Sequence, residues 1–236
     1  MSAQRSTRIF ADGADLEGIL QLADDPRIAG FTTNPTLMRK AGLTDYADFA
    51  HNLLARITKH PVSFEVLADD PDDMRRQAQI IASWGENVYV KIPVTTTSGE
   101  PLTELVRELS EDGIKVNVTA LLTIEQVKTV AAAVKDGAPS YISVFAGRIA
   151  DAGTDPIPIM SLAVEILGDA PRAELIWASP REILNVVQAN EIGCDIITIT
   201  HELIKKLGSL GKSLEQYSLE TVQMFHRDAA AAGLEL

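Results

Sequence analysis

Asn87-Val88-Tyr89-Val90-Lys91-Ile92-Pro93 is an apolar run interrupted by one cation. Its length and β-branched content suit a buried strand, where an ammonium group costs several kcal/mol unless something uses it. Lys91 therefore points to amine chemistry. Apolar surroundings disfavour a charged amine, make a neutral nucleophile available, and so suit a Schiff base with a carbonyl substrate. A lysine at a strand end that snorkels to water or pairs with a carboxylate is the plainer alternative.

Seven further runs of the same kind flank this one, giving strands at 8–12, 30–33, 62–67, 87–93, 115–121, 141–145, 175–179 and 195–200. Amphipathic stretches separate them, the alternation expected of βα units around a parallel sheet. Eight such units predict a closed (β/α)8 barrel of the TIM type, with an open doubly wound sheet as the alternative. Segment 45–60 carries Tyr46, Phe49, Leu53, Leu54 and Ile57 at helical spacing, and 72–84 carries Met74, Ala78, Ile81 and Trp84. Thr123 with Gln126 forms a capping box for a helix through Val134. Ser179-Pro180-Arg181-Glu182 has a capping pattern with proline at the first helical position. The whole chain, 1–236, is expected to be one barrel domain with a C-terminal helix at about 213–232.

Composition narrows the function. Hydrophobic residues make up 46% and charged residues 23%, and no apolar stretch approaches the roughly 18 residues of a membrane span. The polar first eight residues lack the apolar segment of a secretory signal, so a cytoplasmic location is expected. Cys194 stands alone, which excludes an internal disulfide. A net charge of −12 opposes nucleic-acid binding. His51, His60, His201 and His226 show no metal-ligand spacing, and no metal is expected.

In a barrel the strand ends build the active site. Here they carry Asp12, Thr33 with Asn34, Glu65, Lys91, Asn117 with Thr119, Ser143, and Ser179 with Arg181 just beyond. Alternation puts Asn117 and Thr119 on one face of their strand and Tyr89 and Lys91 on one face of theirs. Asp12 also suits a turn with Gly13. Asn117 and Thr119 could simply satisfy one another. Glu65 lies between Phe64 and Val66, where a carboxylate is usually paired or chemically employed. Lys115 shares the parity of Asn117 and rivals Lys91, but it begins its run and so belongs at the barrel bottom. Arg148, Ser179 and Arg181 gather at one end and suggest a phosphate site, although singly Ser179 reads as a cap and Arg181 as a surface charge.

With these segments quoted, the chain resembles the transaldolase family, which includes short bacterial transaldolases and fructose-6-phosphate aldolases. The matching segments are 10–12, 32–37, 90–93, 116–119, 141–149 and 178–181, in family order. The resemblance implies a metal-free barrel enzyme whose only cofactor-like group is a covalent Schiff base on Lys91. Asp12 would transfer protons, Glu65 and Thr119 would position a catalytic water, and Asn34 and Asn117 would hold the dihydroxyacetone hydroxyls. Thr33, Ser143 and Phe145 would line the substrate, and Arg148, Ser179 and Arg181 would bind phosphate. Aldolases of the group typically have glutamine at the position of Glu65 and tyrosine at that of Phe145, so both residues favour transaldolase. That implies transfer of a three-carbon dihydroxyacetone unit from sedoheptulose 7-phosphate or fructose 6-phosphate to glyceraldehyde 3-phosphate or erythrose 4-phosphate, in the pentose phosphate pathway. A homo-oligomer is implied as well. Departures from the family pattern are the long loop 94–102, Val144, Pro180 and a missing His-Pro-Leu-Thr segment after strand eight; they bear on substrate identity. Simple aldol cleavage, another anionic ketose, and a noncatalytic sugar-phosphate binder are the competing readings.

Overall fold

The structure is a computed structural model that describes residues 6–233. The elements run β1 (Arg8–Asp12), α1 (Leu16–Ala23), β2 (Ile28–Thr32), α2 (Pro35–Lys40), α3 (Tyr46–Leu54), β3 (Val62–Glu65), α4 (Pro71–Ala82), β4 (Val88–Pro93) and α5 (Thr103–Glu111). They continue as β5 (Val116–Leu121), α6 (Ile124–Val134), β6 (Ser140–Val144), α7 (Ala146–Asp151), α8 (Pro156–Leu167), β7 (Ala173–Trp177), α9 (Leu184–Glu191), β8 (Ile196–Thr200) and α10 (His201–Lys206). The eight strands pair in parallel, in chain order, and close β8 onto β1. This is the (β/α)8 barrel read from the sequence.

The barrel interior is layered. Phe10, Tyr141, Ile176, Ala178 and Ile196 form a buried cluster between a polar base and a polar top. Gly30 makes room for it, since a Cβ there would come within 2.6 Å of the Phe10 ring. At the base, Tyr89 stacks on Tyr141 with centroids 4.0 Å apart, and Arg8 pairs with Glu174 at 2.5 Å. Lys115 belongs to this lower end, where its Nζ donates to the Glu86 carbonyl.

Helix starts follow their caps. Asp15, Asn34, Asp45, Asp70 and Asp155 accept from backbone N–H groups of the first turns they precede. Thr123 and Gln126 form the expected capping box of α6. The pattern at Ser179 behaves differently: α9 begins only at Leu184, with no side-chain cap, and Asn185 Oδ1 instead takes the N–H groups of Arg181 and Glu182. Strand three also stops earlier than its apolar run suggests, because Gln77 Oε1 accepts from the N–H groups of Leu67 and Ala68 and draws the chain out of the sheet.

The chain divides into two compact units, the first ending at Ile204 and the second beginning at Lys205. The second contains a 3-10 turn at Leu207–Ser209 and α11 (Leu214–Ala231), capped by Ser213, which is the helix expected at 213–232. None of the residues of α11 is buried. No helix among the described residues is long and apolar enough to cross a membrane.

Candidate active site

Strand register brings the first group together. Glu65 on β3, Lys91 on β4 and Asn117 on β5 are direct neighbours across the sheet. Lys91 is only 6% exposed. Its Nζ lies 3.1 Å from Glu65 Oε2 and donates to the Thr33 carbonyl at 2.8 Å. The amine thus satisfies its burial through a carboxylate and a main-chain oxygen, and removing one partner of such a pair costs about 3–5 kcal/mol.

Asp12 closes the other side. Its Oδ1 accepts from Thr32 Oγ1 at 2.8 Å and its Oδ2 from Asn34 Nδ2 at 3.5 Å. Burial pushes the Asp12 carboxyl above its ordinary range; Lys91 and the Thr32 hydrogen bond oppose that rise, and the Glu65 charge adds to it. These opposing influences couple the three ionisable groups and suit Asp12 to proton transfer. Asn34 has a second duty, since its Oδ1 caps α2 through the Leu37 N–H at 3.0 Å.

Asn117 is fully buried and spans two strands, donating to Ser63 Oγ at 3.0 Å and accepting from Ser143 Oγ at 2.7 Å. Both hydroxyls fix the orientation of its amide. Thr119, 2% exposed, lies on the same face one register step higher, and its hydroxyl has no hydrogen-bond partner among the described residues. A buried hydroxyl without a protein partner suits a water or a substrate group. The next residue, Ala120, adopts a φ of 64° where the β5–β6 register shifts, so backbone strain marks the strand end that carries Thr119. Phe145 packs against the apolar cluster below.

Thr33 meets the site through its main chain. Its side chain is fully buried and donates to the Ser63 carbonyl at 2.9 Å, which leaves its own carbonyl as the group that serves Lys91.

Arg148, Ser179 and Arg181 converge through Gly147. A Cβ on Gly147 would lie 1.6 Å from the Ser179 carbonyl and 3.3 Å from Arg181 Nε, so only glycine lets the first turn of α7 approach this segment. Ser179 itself has a φ of 59°, a second strained non-glycine residue at the barrel top. The Arg181 fork is engaged by Asp151: Nε donates to Oδ1 at 2.9 Å, and Nη2 pairs closely with Oδ2. This contact holds the Asp151 carboxyl below its usual range, with Arg148 contributing to the same field. Among the described residues, no group of three or more His, Cys, Asp or Glu side chains is arranged to hold a metal ion.

Four participants escape a reading of strand ends. Thr32 and Ser63 share inward parity with Asp12 and Glu65, so alternation alone could have found them. Asp151 lies three residues after Arg148, a helical spacing that signals proximity to the arginine but not to Arg181. Tyr46 carries no such signal; it reads as one more apolar position of α3, yet its hydroxyl meets the backbone of Glu65.

Comparison with known proteins identifies relatives of this chain. The family model described as Transaldolase/Fructose-6-phosphate aldolase matches residues 9–236. The chain is 34% identical over 201 residues to "Probable transaldolase" of Dehalococcoides mccartyi, covering 85% of this chain and 89% of that one. It is 36% identical over 203 residues to "Probable transaldolase 2" of Listeria monocytogenes, covering 86% and 88%. Among solved structures, the native KDPGal structure shares the fold, with a TM-score of 0.54 over 99% of this chain and 100% of that one, at 14% identity. The buried lysine among carboxylates, the glycine-supported arginine pair and these matches lead to one assignment: the chain belongs to the transaldolase/fructose-6-phosphate aldolase family.

Proposed function

We propose that this enzyme is a transaldolase that moves a dihydroxyacetone unit between sugar phosphates through a Schiff base on Lys91. The observation that carries the reading is the buried Lys91 amine, 3.1 Å from the Glu65 carboxylate, with Asp12 close enough for the three charges to act on one another. Glu65 can accept the proton that the ammonium must lose. The amine then adds to C2 of a ketose phosphate, and the carbonyl electron pair moves to oxygen. Loss of that oxygen as water gives an iminium, an electron sink.

Asp12, as a base, takes the proton of the C4 hydroxyl. The C3–C4 bond breaks, its electron pair flows to the iminium nitrogen as an enamine, and an aldose phosphate departs. A second aldehyde phosphate, held by Arg148 and Arg181, accepts the enamine carbon by the reverse steps. Asn117 with Ser143, and Asn34, hold the hydroxyls of the retained unit, while Glu65 and Thr119 position the water that carries protons. The donors in this reading are fructose 6-phosphate and sedoheptulose 7-phosphate, the acceptors erythrose 4-phosphate and glyceraldehyde 3-phosphate. A cytoplasmic homo-oligomer acting in pentose phosphate metabolism completes it, and sedimentation equilibrium tests the assembly.

Glu65 and Phe145 support transfer over simple cleavage, because no phenol stands at position 145 to protonate and release the three-carbon unit. Borohydride reduction in the presence of fructose 6-phosphate, followed by peptide mass analysis, should place an adduct on Lys91. A reproducible lack of adduct would favour a binding protein. Product analysis with and without erythrose 4-phosphate separates the two chemistries: transfer gives sedoheptulose 7-phosphate only with the acceptor, whereas cleavage releases dihydroxyacetone without it.

A further inference from the structure

We propose that Tyr46 is a positioning residue for Lys91: its hydroxyl replaces one ladder hydrogen bond between β2 and β3 and thereby leaves the Thr33 carbonyl to the lysine amine. This rests on the reading of Lys91 as the Schiff-base residue. In a parallel pair, the N–H and C=O of one residue bond to the two residues that flank its partner. β2 and β3 follow that rule at first, with Phe31 N–H bonded to the Pro61 carbonyl at 2.9 Å and Thr33 N–H to the Ser63 carbonyl at 3.1 Å. The rule next assigns the Glu65 N–H to the Thr33 carbonyl.

That bond is not made. The Glu65 N–H donates instead to Tyr46 Oη at 2.7 Å, and the Tyr46 hydroxyl donates to the Glu65 carbonyl at 3.0 Å. The Thr33 carbonyl, released from the ladder, accepts from Lys91 Nζ at 2.8 Å. A phenol from α3 therefore ends one strand pairing, and an amine from β4 takes over the vacated acceptor.

The surroundings suit this role. The Tyr46 ring is held edge-on by Phe64 and Trp84, with centroids 6.2 and 5.6 Å away. Burial pushes the phenol well above its ordinary range, so the hydroxyl keeps its proton throughout the neutral range. Both acceptors of the Lys91 amine then depend on one side chain: Tyr46 frees the Thr33 carbonyl and pins the backbone from which the Glu65 carboxylate extends. Misplacing a reacting group by about 1 Å can cost about 10²-fold in rate.

Tyr46→Phe tests the idea, since the ring and its packing remain and only the oxygen is lost. The expected result is an adduct still on Lys91, a borohydride trapping rate and kcat about tenfold lower per folded molecule, and KM within about twofold of wild type. Val130→Ala serves as a control that loosens the buried core at α6, outside this aromatic cluster, and keeps the hydroxyl; it should lower Tm and leave the trapping rate unchanged. If Tyr46→Phe lowers Tm but traps substrate at the wild-type rate, or if Val130→Ala slows trapping equally, Tyr46 is a structural residue and the inference is wrong. Should wild type form no adduct on Lys91 while Tyr46→Phe is folded, the reading of the lysine fails, and this inference with it.

Discussion

The two ends of the site are built in opposite ways. Around Lys91 the polar groups are buried, strand-borne and cross-bonded: Glu65, the Thr33 carbonyl, Asp12 with Thr32, and Asn117 between Ser63 and Ser143. At the arginine end the groups stand on helix starts and loops, and the Arg181–Asp151 pair is about half exposed, at 44% and 51%. The difference matches the tasks proposed for the two ends. Bond making and breaking needs groups fixed before the substrate arrives, because reorganisation during reaction slows it. Holding a phosphate needs charge that water can reach and that can exchange one anion for another, and an exposed ion pair is weak enough to do so.

The largest expected effect is at the buried end. Lys91→Met should lower kcat by at least ~10³-fold and abolish borohydride trapping, because no other nucleophile occupies that position. Normal turnover by this variant would remove the basis of the mechanism. Asp12→Asn should lower kcat by about 10²- to 10⁴-fold, the range of a lost acid–base group. It should also stabilise the fold. The Asp12 carboxyl titrates higher in the folded protein than its unfolded value near ~3.9, so ionisation costs folded stability. That cost begins as pH rises past the unfolded value, is complete above the raised folded value, and disappears in acid. Thermal melts of Asp12→Asn should therefore lie above wild type at neutral pH and converge with it below about pH 4; a lower melting temperature at pH 7 would contradict the assigned burial effect.

At the exposed end the effects should fall on KM. Arg181→Lys replaces a two-pronged fork by a point charge and should raise KM for a phosphorylated donor about 10- to 100-fold, with kcat changed little and an unphosphorylated donor unaffected. Equal losses for both donors would place Arg181 outside the phosphate site. The smallest change is expected for Asp151→Asn, which removes the internal competitor for the same fork: KM for phosphorylated donors should drop about two- to fivefold, and the gain should shrink in high salt. A rise in KM would instead make Asp151 an orienting partner that Arg181 requires.

Much of this was legible before folding. The strand runs at 8–12 and 87–93 were visible because β-branched content and apolar length are local properties, and the capping box at Thr123 because it spans three residues. The helix expected directly at Ser179 was displaced to Leu184 because the close approach of Gly147, far away in sequence, forces that segment into a strained turn. Thr33 was picked for its side chain, yet its carbonyl is the group that meets Lys91, and main-chain availability depends on which ladder bonds form.

The sequence by itself determined the eight βα units, the inward parity of Glu65, Lys91, Asn117 and Thr119, and the family, because side-chain alternation and strand-end chemistry are written in consecutive residues. Only the tertiary structure decided the contacts that tune them. Tyr46 lies 19 residues from Glu65, Thr33 58 residues from Lys91, and Asp151 30 residues from Arg181. Those distances close only when the strands assemble into the barrel and the helices dock on it, and hydrogen bonds depend on tenths of an ångström that no local pattern specifies.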